Sequence, residues 1–342
     1  MLNDKFKRNR CVCVVFSFVV LLLVCCKGRE NVRFVEEFPS EYDLQATGID
    51  SLNRYPGTYA ISMAGDKFIG MRKADHFFFV LDNDFSFISE ISAKGHGNGE
   101  FMAPLYCDQY VEESGKEYVY ILERPKRKLY KVALDESEEN KCVFEVPVSW
   151  NIEPSFLFLH GKDSCLGVNN MYSCNFFVAD LSQDKAEEQD AVYEFSGTEE
   201  DVFNVAQSTA SYSAGNSRVA MAYFNLPEID IRASDGRLVQ SVFYESVMKP
   251  SEINKYDPRM FFAYVTSTSR HIYALYIGDK EEQDAGKSLI LVFDWEGNPV
   301  CRLRIDASVC FAIDTKNHRI VSINEDDSHF VASEYRLPDI LQ

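Results

Sequence analysis

Gly95, Gly97 and Gly99 stand on alternate positions in KGHGNGEFMAP (94–104), the kind of glycine-rich stretch whose backbone N–H groups could cradle a phosphate. A dinucleotide fingerprint needs a third glycine at the sixth position, opening a helix after a strand. Here the sixth position is Glu100, and Pro104 stands where a helix would be propagating. AGKSL (285–289) has the last residues of a P-loop, yet Glu281 occupies the earlier glycine position and ILVFDW follows as a strand. The six histidines, at 76, 96, 160, 271, 318 and 329, form no HxH or HExxH pattern, and no GxSxG nucleophile elbow is present. The acidic stretches DNDFS and NEDDS, at Asp82 and Asn324, lack the glycine and final glutamate spacing of an EF-hand and read as turns.

Six cysteines lie beyond the N-terminal region: Cys107, Cys142, Cys165, Cys174, Cys301 and Cys310. None is in CxxC spacing, so neither a zinc nor a redox motif is indicated. In CLGVNNMYSC, Asn169-Asn170 can form a two-residue turn, which would place Cys165 opposite Cys174 in a non-hydrogen-bonded pair. Cα atoms in such a pair come to about 4.5 Å, within disulfide range. A Cys165–Cys174 bridge and two buried thiols are the two readings.

Lys5, Lys7, Arg8 and Arg10 give a basic start, and CVCVVFSFVVLLLVCC then runs apolar to Cys26. This is the layout of a secretory signal, with a membrane span as the alternative. Residues 1–26 therefore form one segment, 27–49 a linker with an N-terminal closing strand, and 50–342 the main domain. Removing residues 1–26 takes away four basic residues and one acid, so the remainder is more acidic than the whole chain's net −18. Such a charge repels nucleic acid and anionic lipid alike.

Two elements would have to position any chemistry, the strand and the turn. Aromatic residues make up 13% of the chain, which favours pleated surfaces, and no long stretch keeps a 3.6-residue period. Instead a short apolar run, a turn and another run recur in groups of four. The first group is YAISMAG, DKFIGMR, HFFFVLDND and FSFISEIS, and the sixth, near the C-terminus, has only three. Equivalent first strands at Ala60, Tyr106, Leu157, Gln207, Ala263 and Ala312 are 46, 51, 50, 56 and 49 residues apart. Four-stranded units at that period are propeller blades. The expected fold is all-β, a six-bladed β-propeller of four-stranded blades. It would be closed by an N-terminal strand, Asn31 to Phe38, pairing as the missing outer strand of the last blade; seven blades or a two-domain β-sandwich are the alternatives.

Asp235-Gly236 in RASDGRLV and Glu296-Gly297-Asn298 in FDWEGNPV fall between third and fourth strands. With the order G-x-G-x-G-E-F-x-x-P, they make residues 50–340 resemble six-bladed propellers of the NHL and TolB-like kind. That resemblance implies a blade connector at Gly95, Gly97 and Gly99, with Phe101 as anchor and Pro104 leading into the next inner strand. Leu23-Val24-Cys25-Cys26 is similar to the lipobox of bacterial lipoproteins, which implies lipidation at Cys26. Propeller enzymes of the gluconolactonase type hold Ca²⁺ with carboxylates and an Asn at the central channel. Asp108 and Asp314, on expected inner strands, are the weak metal candidates here. The sequence thus points to a non-enzymatic, lipid-anchored binding or scaffold propeller of the bacterial cell envelope, in the outer membrane and facing the periplasm, with exposure at the cell surface as the alternative. Its partner would be an envelope protein, peptide or glycan. No catalytic or cofactor residue is assigned, Ca²⁺ being the one cofactor considered. The alternative is a metal-dependent hydrolase or lyase working at the channel.

Overall fold

A computed structural model describes residues 31–135, 137–150, 152–162, 164–169, 175–180, 185–188, 207–254, 256–326 and 329–342. The chain divides into two units, Met1–Val32 and Arg33–Gln342. The expected signal segment and Cys26 lie outside the described residues. Among those residues no helix is long and apolar enough to cross a membrane.

The second unit is a ring of six sheets, each of four strands or more and antiparallel but for one added N-terminal strand. The innermost strands are Thr58–Ala64, Pro104–Glu113, Pro154–His160, Ser208–Ser213, Phe262–Ser267 and Ser308–Asp314, for blades 1 to 6 in order. Five buried apolar clusters fill the gaps between neighbouring sheets, one of them running through both gaps beside blade 3. Between blades 1 and 2, for example, Ile69, Phe78 and Val80 meet Phe101, Ile121 and Tyr130. The core of this fold is therefore the set of faces between blades, which is why strand after strand is apolar on both sides.

In two blades a glycine on the second strand lies directly across from a phenylalanine on the third, Gly70 against Phe79 and Gly167 against Phe177. A Cβ at either glycine would fall 2.0 Å from the ring's Cζ. The ring thus covers the backbone that the missing side chain leaves bare.

Turns repeat as faithfully as strands. Between third and fourth strands, Asp82 Oδ1 accepts the N–H groups of Asp84 and Ser86 at 2.9 and 2.7 Å. Asp294 Oδ1 does the same for Glu296 and Asn298 at 3.0 and 2.8 Å. The left-handed position three residues on is filled by Gly297 in one case and by Phe85, φ +60°, in the other. Between first and second strands, SAGNSR (213–218) and DTKNHR (314–319) make matching turns in which Asn216 and Asn317 bond back to Ser213 and Asp314. Each ends in an arginine that reaches the next blade. Arg218 of blade 4 donates to Trp295 O and Glu296 of blade 5, and Arg319 of blade 6 donates to Asn83 O of blade 1. NEDDS, in contrast, is not a turn at Asn324: this residue is buried within the strand Arg319–Asp326, between Ser322 Oγ and Ser333 Oγ.

The N-terminal strand does complete the last blade, but through other residues than expected. Thr47–Gly48 pairs antiparallel with His329–Arg336, joining Gly48 to Ser333 and Thr47 to Glu334. The segment expected there, Asn31–Phe38, lies further back: Val32–Val35 is the fifth strand of blade 4, and Glu41–Asp43 runs parallel to Pro299–Asp306 on blade 5. Phe38 decides this placement, since it packs edge-on to Tyr244 and Phe293 at 5.8 and 5.3 Å, in the groove between blades 4 and 5. The chain therefore straps three blades in succession before blade 1 begins.

Candidate functional site

The innermost strand of blade 2 breaks register between Tyr106 and Tyr110, so that Cys107, Asp108 and Gln109 bulge opposite the second strand. Asp108 takes a left-handed backbone, φ +51°. Gln109 pins the bulge to blade 3: its Nε2 donates to Leu159 O at 2.9 Å, and Leu159 N–H donates to its Oε1 at 2.8 Å. The bulge turns the Asp108 side chain into the central channel. There its Oδ2 accepts Ser211 Oγ of blade 4 at 3.1 Å and Thr266 Oγ1 of blade 5 at 3.3 Å. Ser267 Oγ lies 2.8 Å from Ser211 Oγ.

A cavity of about 190 Å³ lies over this carboxylate. Its lining includes Ile61, Met71, Phe78, Phe156 and Tyr264, and thus draws on the inner strands of most of the ring. Leu105 and Phe156 are shared with a wider mouth of about 500 Å³, which also takes in Arg124, Arg127, Glu153 and Ser155. Together they form a funnel on the face that carries the blade connectors. Arg127 is engaged with Val146 O and Pro147 O, whereas Arg124 stands exposed at the rim.

Burial raises the Asp108 carboxyl to about 6, against the bonds from Ser211 and Thr266 that lower it. Burial also raises Tyr106 and Tyr264, with the Asp108 charge adding to the effect. A carboxyl whose folded pKa lies above its unfolded 3.8 stabilises the fold fully below that value, and this contribution is lost as pH rises toward 6. Asp108→Asn keeps the shape and the left-handed backbone but removes the charge. It should leave stability unchanged near pH 4 and raise it by about 1–2 kcal/mol near pH 8, a discount on the full shift for the group's partial exposure. Urea unfolding of both proteins at the two pH values checks this; an equal stability difference at both would contradict it.

Asp314, the other channel candidate, is not brought to this site. It ends the inner strand of blade 6, almost fully buried, where its carboxylate accepts Asn317 Nδ2 at 2.7 Å and Arg319 Nε at 2.9 Å. It does not line the funnel. Among the described residues no group of three His, Cys, Asp or Glu side chains is placed to hold a metal ion.

Gly95, Gly97 and Gly99 leave the last strand of blade 1, and Pro104 opens the first strand of blade 2. Only Gly99 needs a left-handed backbone, φ +77°; Gly95 and Gly97 make room for the Glu100 carboxylate, which accepts Gly97 N–H at 2.7 Å. Phe101 is fully buried and meets Tyr130 edge-on at 5.1 Å. The buried Glu123 accepts Met102 N–H at 3.0 Å, and Lys126 Nζ donates to the carbonyls of Gly97 and Glu100 at 2.8 and 2.7 Å. These hydrogen bonds all run within the protein itself.

The expected Cys165–Cys174 hairpin has a different register. Asn169 pairs with Asn175 and Cys165 with Ala179, so the connection spans residues 170–174 rather than two asparagines. Cys165 is a buried free thiol, and Cys174 lies outside the described residues.

Sequence reasoning placed Asp108 on an inner strand but missed Ser211, Thr266, Ser267, Tyr264 and the rim residue Arg124. The available signal was the hydroxyl content of two innermost strands, STASYS and the end of FAYVTS. A strand buried along its whole length has little reason to carry so many hydroxyls unless it lines something polar.

Among solved structures the chain is similar in fold to a Bacteroides fragilis protein described as exported, at 12% identity and TM-score 0.56, covering 90% of this chain and 99% of that one. It is also similar to regucalcin from Agrobacterium tumefaciens, described as calcium-binding, at 10% identity and TM-score 0.51, over 87% of this chain and 95% of that one. A Bacteroides thetaiotaomicron protein of unknown function matches at 10% identity and TM-score 0.50, over 88% of this chain and 75% of that one. No family model and no curated protein matches the sequence. At these identities the likeness is one of fold, the β-propeller.

Proposed function

We propose that this protein is a lipid-anchored binding propeller of the bacterial cell envelope, which takes its ligand in the funnel above Asp108. The observation that carries the reading is the make-up of that funnel: apolar walls, one carboxylate and a small set of hydroxyls. Few, convergent polar groups in an apolar concavity are the ordinary form of a binding site. Strain at the Asp108 backbone and a bulge that re-aims its side chain support the same place, since both features collect at working sites. The basic start, the apolar run and Cys26 support the anchor, and a neighbour described as exported fits that compartment. A partner protein, peptide or glycan would engage the mouth between blades 2, 3 and 4.

Thermal unfolding with a panel of peptides, oligosaccharides, amines and carboxylates tests the reading, using wild-type protein and Ala210→Leu, which fills the throat from blade 4. At least one ligand should raise the Tm of wild type and fail to raise that of the variant, while calcium and a chelator leave both unmoved. Stabilisation by calcium together with turnover of ester or lactone substrates would replace this reading with the metal-dependent hydrolase.

A further inference from the structure

Asp108 is a negative charge in a mostly apolar channel with no cation beside it. Among the described residues its bonds come only from hydroxyls, Ser211 Oγ and Thr266 Oγ1, both to Oδ2, and Lys, Arg and His side chains make no ion pair with it. Carboxylates set among apolar side chains are as a rule paired with a cation, because hydroxyl bonds alone return only part of the lost hydration. The fold goes to some length to keep this one: a bulge, a left-handed backbone costing about 1 kcal/mol or more, and the two-bond clamp from Gln109 to blade 3. Among the described residues nothing supplies the counter-charge, which leaves that role to a ligand in the channel.

The walls say which kind of cation. Calcium takes about six to eight oxygens, usually from several carboxylates, whereas this throat offers one carboxylate among Ile61, Ile69, Met71, Phe78, Phe156 and Val265. A primary ammonium needs three acceptors, and its carbon stem gains from apolar walls. The free oxygen of the Asp108 carboxylate and the hydroxyl oxygens around it supply acceptors. Tyr106 donates its hydroxyl hydrogen to Met63 O at 2.8 Å, which leaves its oxygen lone pairs for another donor. Aromatic rings at Tyr106, Phe156 and Tyr264 add faces that attract a cation. Arg124 at the rim does not bar the way, because an exposed charge is screened over about 8–10 Å of saline solvent.

We infer that the funnel is a receptor for a primary alkylammonium group, whose charge pairs with Asp108 and whose stem lies along the apolar throat. This rests on the binding reading above and names the chemistry of its ligand. At about 190 Å³ the throat admits a short stem rather than a whole ligand, so the group is either a small free amine or the lysine side chain of a peptide held at the mouth.

Calorimetric titration at pH 8 with n-butylammonium and with an N-acetylated, C-amidated Gly-Lys-Gly peptide separates these two sources. Binding of either supports the inference, and Asp108→Asn should weaken it at least tenfold, since a charge-assisted bond is lost. n-Pentanol and butyrate, which match the stem without the positive charge, should show no preference for wild type over the variant. Independently of any variant, the amine should protect Asp108 from modification by dicyclohexylcarbodiimide, read by peptide mass spectrometry. The inference is overturned if neither amine binds, if Asp108→Asn binds it as tightly as wild type, or if Asp108 is modified equally with and without it. If sugars or acids from the wider panel still bind and are excluded by Ala210→Leu, the funnel remains a binding site and only its amine chemistry falls.

Discussion

Arg319→Met should cost about 3–5 kcal/mol of stability. Arg319 combines ion pairs within the last blade with a backbone bond and ring contacts across the closing junction to blade 1. Its Nε meets Asp314 Oδ2 at 2.9 Å, Nη1 meets Glu334 Oε2 at 2.7 Å, and Nη2 donates to Asn83 O of blade 1. Its guanidinium also lies over the rings of Phe85 and Phe68, with centroids at 4.9 and 5.3 Å. Methionine can refill much of the apolar volume, but it strands Asp314, which is 1% exposed and would keep only Asn317. Most of the loss is that uncompensated charge, so Arg319→Met with Asp314→Leu should recover a good part of it. Arg218→Met removes the matching arginine of blade 4, whose partner Glu296 is mostly exposed, and should cost only about 1–2 kcal/mol. Urea unfolding of the four proteins decides the matter. Equal losses at Arg218 and Arg319 would mean that the buried pair at the junction carries no special weight.

Gly70→Val should fail to give stably folded protein, and Gly167→Val likewise. At each position a Cβ would fall 2.0 Å from the para carbon of the phenylalanine across the strand, and both rings are fully buried in the gaps between blades. Overpacking of a well-filled core costs about 1–3 kcal/mol when side chains can shift, and more when they cannot. Phe79 has little freedom, because Tyr55 stacks on its ring at 4.2 Å with planes 9° apart. The smaller change Gly70→Ala should be destabilising alone and partly rescued by Phe79→Leu, which withdraws the ring. Circular dichroism melting of the single and double variants tests this, and a double variant no better than the single one would count against the clash as the cause.

The repeat was legible because it is written many times over. Turn chemistry and apolar runs recur at each blade, so a doubtful strand in one unit is supported by its counterparts in the next. The closing strand has no such support. Thr47–Gly48 is two residues long, too short for any periodicity, while NVRFVEEF has the alternation of a strand and drew the assignment to itself. Its strand character was real at Val32–Val35, but the blade it joins depends on where Phe38 finds a groove, which only the assembled ring determines. The turn at Asn169-Asn170 failed for a related reason, since a favourable dipeptide does not exclude a longer connection. Asp108 and Asp314 looked alike in sequence, each an aspartate on an inner strand. What separates them is local: Asn317 and Arg319 follow Asp314 within its own turn, whereas the bulge at Asp108 leaves its carboxylate to partners 103 and 158 residues away.

The two-residue strand at Thr47–Gly48 also sets a clock. Its pairing joins Gly48 to Ser333, residues 285 positions apart. Five blades can form as they are synthesised, each from strands close in sequence, but the ring stays open until the last few dozen residues are available. Long-range closure of this kind slows folding and leaves sheet edges unpaired in the interval. The final step should therefore be rate-limiting, and a chain stopped before Ser308 should accumulate as an open arc that associates with its own kind.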